Sequence, residues 1–445
     1  RWCRSRLAVA HPTPDGRCAV ISSDSDETAA SLETYAPGDG DGWASLLAPW
    51  ERHGRAFLDA ILSPFPPIGP GVRLAARARL RGLRELGRLS VVTARRLGEE
   101  HFDGEGGALL VAANALHTDL SPESAGSGLY GWLLCGLAAG VGFPVPEGGA
   151  GGFTAALVRR LRAAGGEVRC GEVVSAVDVR AGRAVGVRTK GGSSYPAARA
   201  VIADVAAPHL YGRLLAGSEL PGKIRAELRR FHWDAGTVKV DWALAAPIPW
   251  SAPPAAEAGT VHLADSVDEL TRWSADLATG TVPSRPFLVV GQQSMVDPTR
   301  QPRGAETAWA YTHVPRVVRR DGQGQISGRW DGDDTAAMVE RVERRVEEWA
   351  PGFRARILAR HVLSPLSMEA ADANLDGGAI NGGTSHLHQQ LIWRPTSGWG
   401  RPETYLRALY LASASAHPGG GVHGACGANA ARAALVHDRL GRWWR

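Results

Sequence analysis

The sequence predicts an α/β protein, α+β overall, and three observations predict it. A glycine loop at 148–152 opens a helix that is followed by a short strand, a hairpin and another short strand ending at Asp204. A strand at 408–412 runs into a glycine-rich loop and then into a helix. Between 209 and 395, runs with a two-residue apolar period alternate with runs of helical period.

The elements follow in chain order. Residues 6–10 and 18–22 flank Pro12-Thr13-Pro14-Asp15-Gly16 and predict a hairpin. Residues 27–62 predict helices broken by the turn Pro37-Gly38-Asp39-Gly40-Asp41-Gly42. The basic stretch 72–96 sets Leu74, Leu80, Leu83, Leu86 and Leu89 on roughly one helical face. It is read as a surface helix packed through its leucines, with peripheral membrane contact as the alternative. Residues 124–146 carry no formal charge but include six glycines, so they predict a short buried helix running into a loop rather than a membrane span.

Gly148-Gly149-Ala150-Gly151-Gly152 opens a helix with Phe153, Ala156, Leu157 and Leu161 on one face, and Gly165-Gly166 stops it. A strand at 167–170 follows. Segments 173–179 and 184–189 form a hairpin around Arg180-Ala181-Gly182-Arg183, and 200–203 is a buried strand. This order fits one segment of an α/β nucleotide-binding domain. Further strands are predicted at 236–244 and 307–314, the latter with Thr307, Trp309, Tyr311 and His313 on one face. An amphipathic helix at 335–349 points Val339, Val342, Val346 and Trp349 inward, and the last helix covers 427–440.

Composition limits the function classes. The 445 residues are 44% hydrophobic and 21% charged, which excludes disorder and allows two or three domains. The net charge is +5, yet Lys190, Lys223 and Lys239 are the only lysines, and the arginines are interspersed with 45 acids. No basic tract with interleaved aromatics exists, so nucleic acid is not an expected partner. Cys3, Cys18, Cys135, Cys170 and Cys426 are far apart without a C-x-x-C. That spacing argues against zinc and dithiol redox chemistry and for a reducing, cytoplasmic setting.

Gly419, Gly421 and Gly424 make a formal G-x-G-x-x-G between a strand and a helix. Only 21 residues follow Gly424, too few for a crossover, a second parallel strand and an acidic ribose ligand. The loop still lets backbone N–H groups approach a ligand, with negative charge favoured at the helix N-terminus. No Ser-His-Asp triad or metal cluster is evident, and His417 and His423 lack a third ligand at suitable spacing.

The run from Leu409 through His417-Pro418-Gly419-Gly420-Gly421-Val422-His423-Gly424 to Ala431 resembles the closing flavin motif of phytoene dehydrogenase-like FAD oxidoreductases, in the wider amine oxidase and carotenoid desaturase superfamily. The segments 142–151, 183–189 and 203–208, and 374–394 with Asn381-Gly382-Gly383, are similar to the same family. The resemblance implies an FAD-binding Rossmann-like domain interleaved with a mixed-sheet and helical substrate domain. Residues 1–143 and 209–400 would form the substrate domain, and 144–208 and 401–445 the middle and C-terminal parts of the FAD domain. The family's opening strand–GxGxxG–helix is not found in residues 1–100. The chain is therefore expected to begin after that segment, which leaves FAD binding weak or absent.

The resemblance implies that Gly420, Gly421, Val422 and Gly424 lie beside the isoalloxazine pyrimidine. Ser413 and Ala414 would approach the ribityl and pyrophosphate, and the backbone of Val174 would pair with adenine, unless Val174 is plain strand core. Lys239 either holds a water at flavin N5 or is a sheet lysine facing solvent. Trp309 and Tyr311 line a substrate cavity or belong to the core. Asn381 and Gln390 contact substrate or flavin, or serve loop hydrogen bonding. Two functions follow: hydride transfer from a small apolar substrate to FAD, or a non-enzymatic remnant of the same scaffold.

Overall fold

The computed structural model describes residues 1–443 apart from Arg303 and Trp399, so the last two residues of the 401–445 segment lie outside the described residues. In chain order the elements used below are β1 (Leu7–Pro12), β2 (Cys18–Ser22), α1 (Ser25–Glu33), α2 (Asp39–Ile61), α3 (Ile68–Leu89), α4 (Ala94–His101), α5 (Glu105–Ala115), α6 (Ser127–Val141) and α7 (Ala150–Ala163). Then come β3 (Val174–Arg180), β4 (Arg183–Thr189), β5 (Ser194–Pro196), β6 (Val201–Ala203), β7 (Gly236–Leu244), β8 (Ala258–Leu263), α8 (Val267–Thr279), β9 (Leu288–Gly291) and β10 (Glu306–Val314). The last are α9 (Gly332–Trp349), β11 (Ile357–Leu363), β12 (Leu409–Leu411) and α10 (Ala425–Trp443). Two compact units result: residues 1–54, 80–166 and 235–378 in the first, 55–79, 167–234 and 379–445 in the second.

The first unit is built on a seven-stranded sheet in the order β11-β7-β10-β9-β8-β1-β2, antiparallel except where β8 runs parallel to β1. The two-residue period of β7 sorts its faces. Val238, Val240, Trp242 and Leu244 are buried in one core with Met338, Val342 and Val346 of α9, and Lys239, Asp241 and Ala243 point the other way. Each fully buried side chain of this size contributes about 1.5–3 kcal/mol. Asp331 caps α9 by accepting from the Asp334 amide, and Glu343 on its inner face accepts from Trp242 Nε1 at 3.0 Å. Gly136 in α6 has a sequence-level reason. A Cβ there would stand 2.3 Å from the Trp50 indole, which itself packs edge-on against Trp132 at 5.3 Å.

The second unit contains the antiparallel sheet β3-β4-β5 and a parallel pair, β6 with β12. Leu210, Tyr211, Leu409 and Leu411 are among its core residues.

Several expectations need correction. The segment 72–96 is not one helix packed through five leucines. α3 breaks at Arg79, which has φ 53°, and Leu80 and Leu83 are exposed, whereas Leu86 and Leu89 are buried. A break in the middle resets the helical phase, so one stripe cannot continue across it. The turn at 37–42 is shorter than expected, because α2 starts at Asp39. Residues 167–170 form no strand. The helix expected after the glycine loop at 148–152 does form as α7, with Phe153, Leu157 and Leu161 exposed and no residue buried. The segment 124–146 does form the expected helix, and no helix among the described residues is long and apolar enough to cross a membrane.

The first unit also buries histidines. His11 on β1 and His262 on β8 are inaccessible, and His117, just after α5, shares a 2.8 Å Nε2–Nε2 hydrogen bond with His262. The His11 Nε2 donates to the Ala264 carbonyl at 3.0 Å. Burial pushes His11 and His117 down to about 4 and His262 well below its ordinary value. In the unfolded chain these imidazoles take a proton near pH 6.5. Between about pH 6.5 and pH 4 the unfolded chain therefore binds more protons, and stability is lost as the pH falls through that window. The urea midpoint of the first unit is expected to drop across it, and His262→Gln should flatten the dependence. A midpoint that stays level over this range in the unsubstituted chain would contradict the assignment.

A glycine loop seated on buried charge

The second unit assembles a site around the end of β12. Pairing with β6 continues past the strand, the Ala412 amide donating to the Ala203 carbonyl at 2.8 Å. The chain then turns through 413–424 before α10 begins. Gly419 at φ +111° and Gly421 at φ +135° hold conformations that L side chains rarely adopt. At the far end, His423 Nδ1 accepts from the Ala425 amide at 3.0 Å and so caps α10, and burial pushes this imidazole below its ordinary pKa. His417 Nε2 donates to the Ser63 carbonyl at 3.0 Å, and Asn429 Nδ2 to that of Leu62 at 3.0 Å.

A second loop, 380–384, lies against this one. Buried Asp234 accepts from the amides of Ile380 (2.8 Å), Asn381 (2.8 Å) and Gly383 (3.0 Å). Ser415 Oγ donates to the Gly382 carbonyl at 2.7 Å. The Arg394 side chain joins the two loops, donating through Nε and Nη2 to the Ala414 carbonyl at 3.0 and 2.7 Å and through Nη1 to that of Thr384 at 2.7 Å. Gly420 packs directly on Asn381, where a Cβ would come within 2.8 Å of Oδ1.

The predicted residues fall into two groups. Val174, Asn381, Gln390, Ser413, Ala414, Gly420, Gly421, Val422 and Gly424 belong to the second unit, and Lys239, Trp309 and Tyr311 to the first. Val422 is 97% exposed at the tip of the loop, with Gly420, Gly421 and Gly424 open beside it. Ser413 uses its hydroxyl to donate to the Val205 carbonyl at 2.7 Å, and Gln390 Nε2 donates to the Thr384 carbonyl at 2.8 Å. Val174 opens β3 opposite Thr189 with its side chain exposed, so strand core is not its role. Asn381 Nδ2 is buried without a hydrogen-bond partner.

In the first unit, register places Lys239 opposite Tyr311 and Asp241 opposite Trp309. Lys239 pairs with Asp241, and its Nζ lies 5.9 Å from the Trp309 ring centroid. Trp309 stacks on Tyr311 at 5.9 Å and folds over Gly291, where a Cβ would be 2.3 Å from the indole. Asp241, Trp309, Gln293, Arg300 and His361 help line a cavity of about 380 Å³. Among the described residues no group of three His, Cys, Asp or Glu side chains could hold a metal.

Sequence reasoning missed Asp234 and Arg394. Asp234 sits in Trp233-Asp234-Ala235-Gly236, which reads as an ordinary turn, and Arg394 is one arginine among many. Only long-range contacts single them out.

Fold and site together define a mixed α/β scaffold in which a glycine-rich loop precedes the last helix. No family model matches the chain. It is 29% identical over 296 residues to the rat pyridine nucleotide-disulfide oxidoreductase domain-containing protein 2, covering 64% of this chain and 50% of that one. It is 24% identical over 439 residues to a lycopene-forming phytoene desaturase of Pseudescherichia vulneris, covering 96% and 81%. The chain thus spans about half the length of the rat relative. In fold it is similar to an oxidoreductase from Methanosarcina mazei, with a TM-score of 0.57, 15% identity and coverage of 98% of this chain and 82% of that one. It is also similar to putrescine oxidase bound to putrescine, with a TM-score of 0.54, 15% identity and coverage of 98% and 81%. The chain thus resembles phytoene desaturases in sequence and is similar in fold to solved oxidoreductases such as putrescine oxidase.

If Asp234 fixes the 380–384 loop, Asp234→Asn turns a charged acceptor of three amides into a neutral one. The substitution is expected to destabilise the second unit by about 2–3 kcal/mol, read as a lower urea midpoint. An unchanged midpoint would assign the loop's order to other contacts.

Proposed function

We propose that the chain is an FAD-dependent oxidoreductase of phytoene dehydrogenase-like type, which passes a hydride from a C–H bond of a small apolar substrate to flavin N5. The observation that carries this reading is the loop at 417–424, whose glycines leave open backbone immediately before α10. The chain's residues fit the flavin in two respects. Gly420 and Gly421 leave a cradle that side chains would fill, and the orphaned Asn381 Nδ2 supplies a donor beside it. When bound, FAD supplies the hydride acceptor, and the protein supplies geometry and electrostatics.

On this reading the amides of Gly420, Gly421 and Val422 face the pyrimidine end of the ring, and Gly424 lets the chain turn into α10. Ser413 and Ala414 approach the ribityl chain, and the Val174 backbone meets adenine. Trp309 and Tyr311 offer an aromatic shelf to an apolar substrate. Lys239, held by Asp241, is the candidate for holding a water at N5.

A second reading has its own observation. Among the described residues β6 has a single strand neighbour, and Ile202 on it is exposed. A scaffold without tight FAD binding, acting through protein partners, would leave that parallel pair as it stands.

The purified chain separates the two. Stoichiometric yellow flavin, lost in Gly421→Val because φ +135° excludes a β-branched residue, is the expected result. A colourless folded chain that takes up no added FAD supports the second reading. In flavin-loaded protein, Lys239→Met is expected to slow reoxidation by O2 roughly a hundredfold. Unchanged reoxidation removes Lys239 from the reaction.

A further inference from the structure

One face of the first unit's sheet has a hollow built by small side chains. Antiparallel register sets Thr307 of β10, Ala243 of β7 and Ala359 of β11 side by side. Two residues along each strand, the same register lines up Trp309, Asp241 and His361. Directly paired residues share a face, so the small side chains make a floor and the larger ones a wall. The residue between on β11, Arg360, turns to the other face, where its Nε donates to Glu343 Oε1 at 2.8 Å. The cavity of about 380 Å³ described above fills this hollow and has the size of a small-molecule site.

The ends of the cavity differ in charge. At the wall, Asp241 is paired with Lys239. At the rim stands Arg300, whose Nη1 donates to Gln293 Oε1 at 3.2 Å. Its guanidinium lies against Gly149, where a Cβ would come within 3.5 Å. Among the described residues no carboxylate lies within ion-pair distance of Arg300. The acid nearest in sequence, buried Asp297, is engaged by the Gly148 amide at 2.7 Å and by Thr299 Oγ1 at 2.7 Å. A guanidinium is a planar fork of donors that matches a carboxylate. A diphosphate would call for more cations than this rim supplies.

We propose that the hollow binds a small apolar molecule carrying one carboxylate. The acid sits on Arg300 and Gln293, and the apolar body lies over Ala243, Ala359 and the Trp309 indole. That this molecule is the substrate rests on the oxidoreductase reading above; its binding needs no flavin.

Calorimetric titration of the purified chain, without flavin, uses cyclohexanecarboxylate and its uncharged counterpart cyclohexanemethanol as probes. The acid is expected to bind about five- to tenfold more tightly, the worth of a hydrogen-bonded charge pair in a half-open site. Arg300→Met, at an exposed position, should remove that preference. Ala243→Leu, which fills the floor, should weaken both probes alike. Equal binding of acid and alcohol by the unsubstituted chain overturns the proposal, as does a preference that survives Arg300→Met. Binding of neither probe, or binding unmoved by Ala243→Leu, overturns it too. Flavin uptake is read separately, from the visible spectrum. A colourless chain that prefers the acid keeps the site and loses the oxidoreductase reading, whereas a yellow chain indifferent to the acid does the reverse.

Discussion

Two buried charges of opposite sign, Asp234 and Arg394, hold the loops on which the candidate site depends. Asp234 gathers amides, and Arg394 gathers carbonyls of the same 380–384 segment together with that of Ala414. Each charge meets the partial charges of the backbone, and between them they satisfy both sides of a segment that has no ladder of its own. Glycine-rich loops lose more backbone freedom on ordering than any other sequence, at a cost of about 1–2 kcal/mol per residue. Hydrogen bonds to charged groups, about 1.5–3 kcal/mol each, are the interactions of sufficient size to offset that loss locally.

The first unit reaches order by a different route. Its sheet is pinned on one face by α9 and by apolar side chains at every second position of β7. The other face of β7 and β10 carries Lys239, Asp241, Trp309 and Tyr311, half-buried and paired among themselves. Half-buried polar and aromatic groups on that part of the sheet suit a binding surface. The buried histidines belong to the interior of the same unit, where they are neutral at ordinary pH and so cost little to desolvate.

Legibility followed the range of the interaction. The hairpin of β1 and β2, the β3–β4 hairpin and strand β7 were readable because turn residues and alternation are local signals. The glycine loop was readable because close backbone approach requires glycine itself. α7 shows the limit. A helical period records which residues share a face and not where that face points, and Phe153, Leu157 and Leu161 share one that is exposed. α3 shows another, since nothing in its leucine spacing announces the break at Arg79.

By itself, the sequence determined the mixed α/β class, most strand and helix positions, and a resemblance resting on the run from Leu409 to Ala431. Those features depend on periodicity, turn chemistry and contiguous motifs, all of which a chain carries within a few residues. The tertiary structure alone decided which unit each candidate residue joins, that Lys239 is tied to Asp241, and that Asp234 and Arg394 underlie the glycine loop. Their partners lie far along the chain, Asp234 bonding to Asn381 across 147 residues and Arg394 to Ala414 across 20. A charge is selected for burial by the backbone groups that fold around it, and no local pattern records where those groups will be.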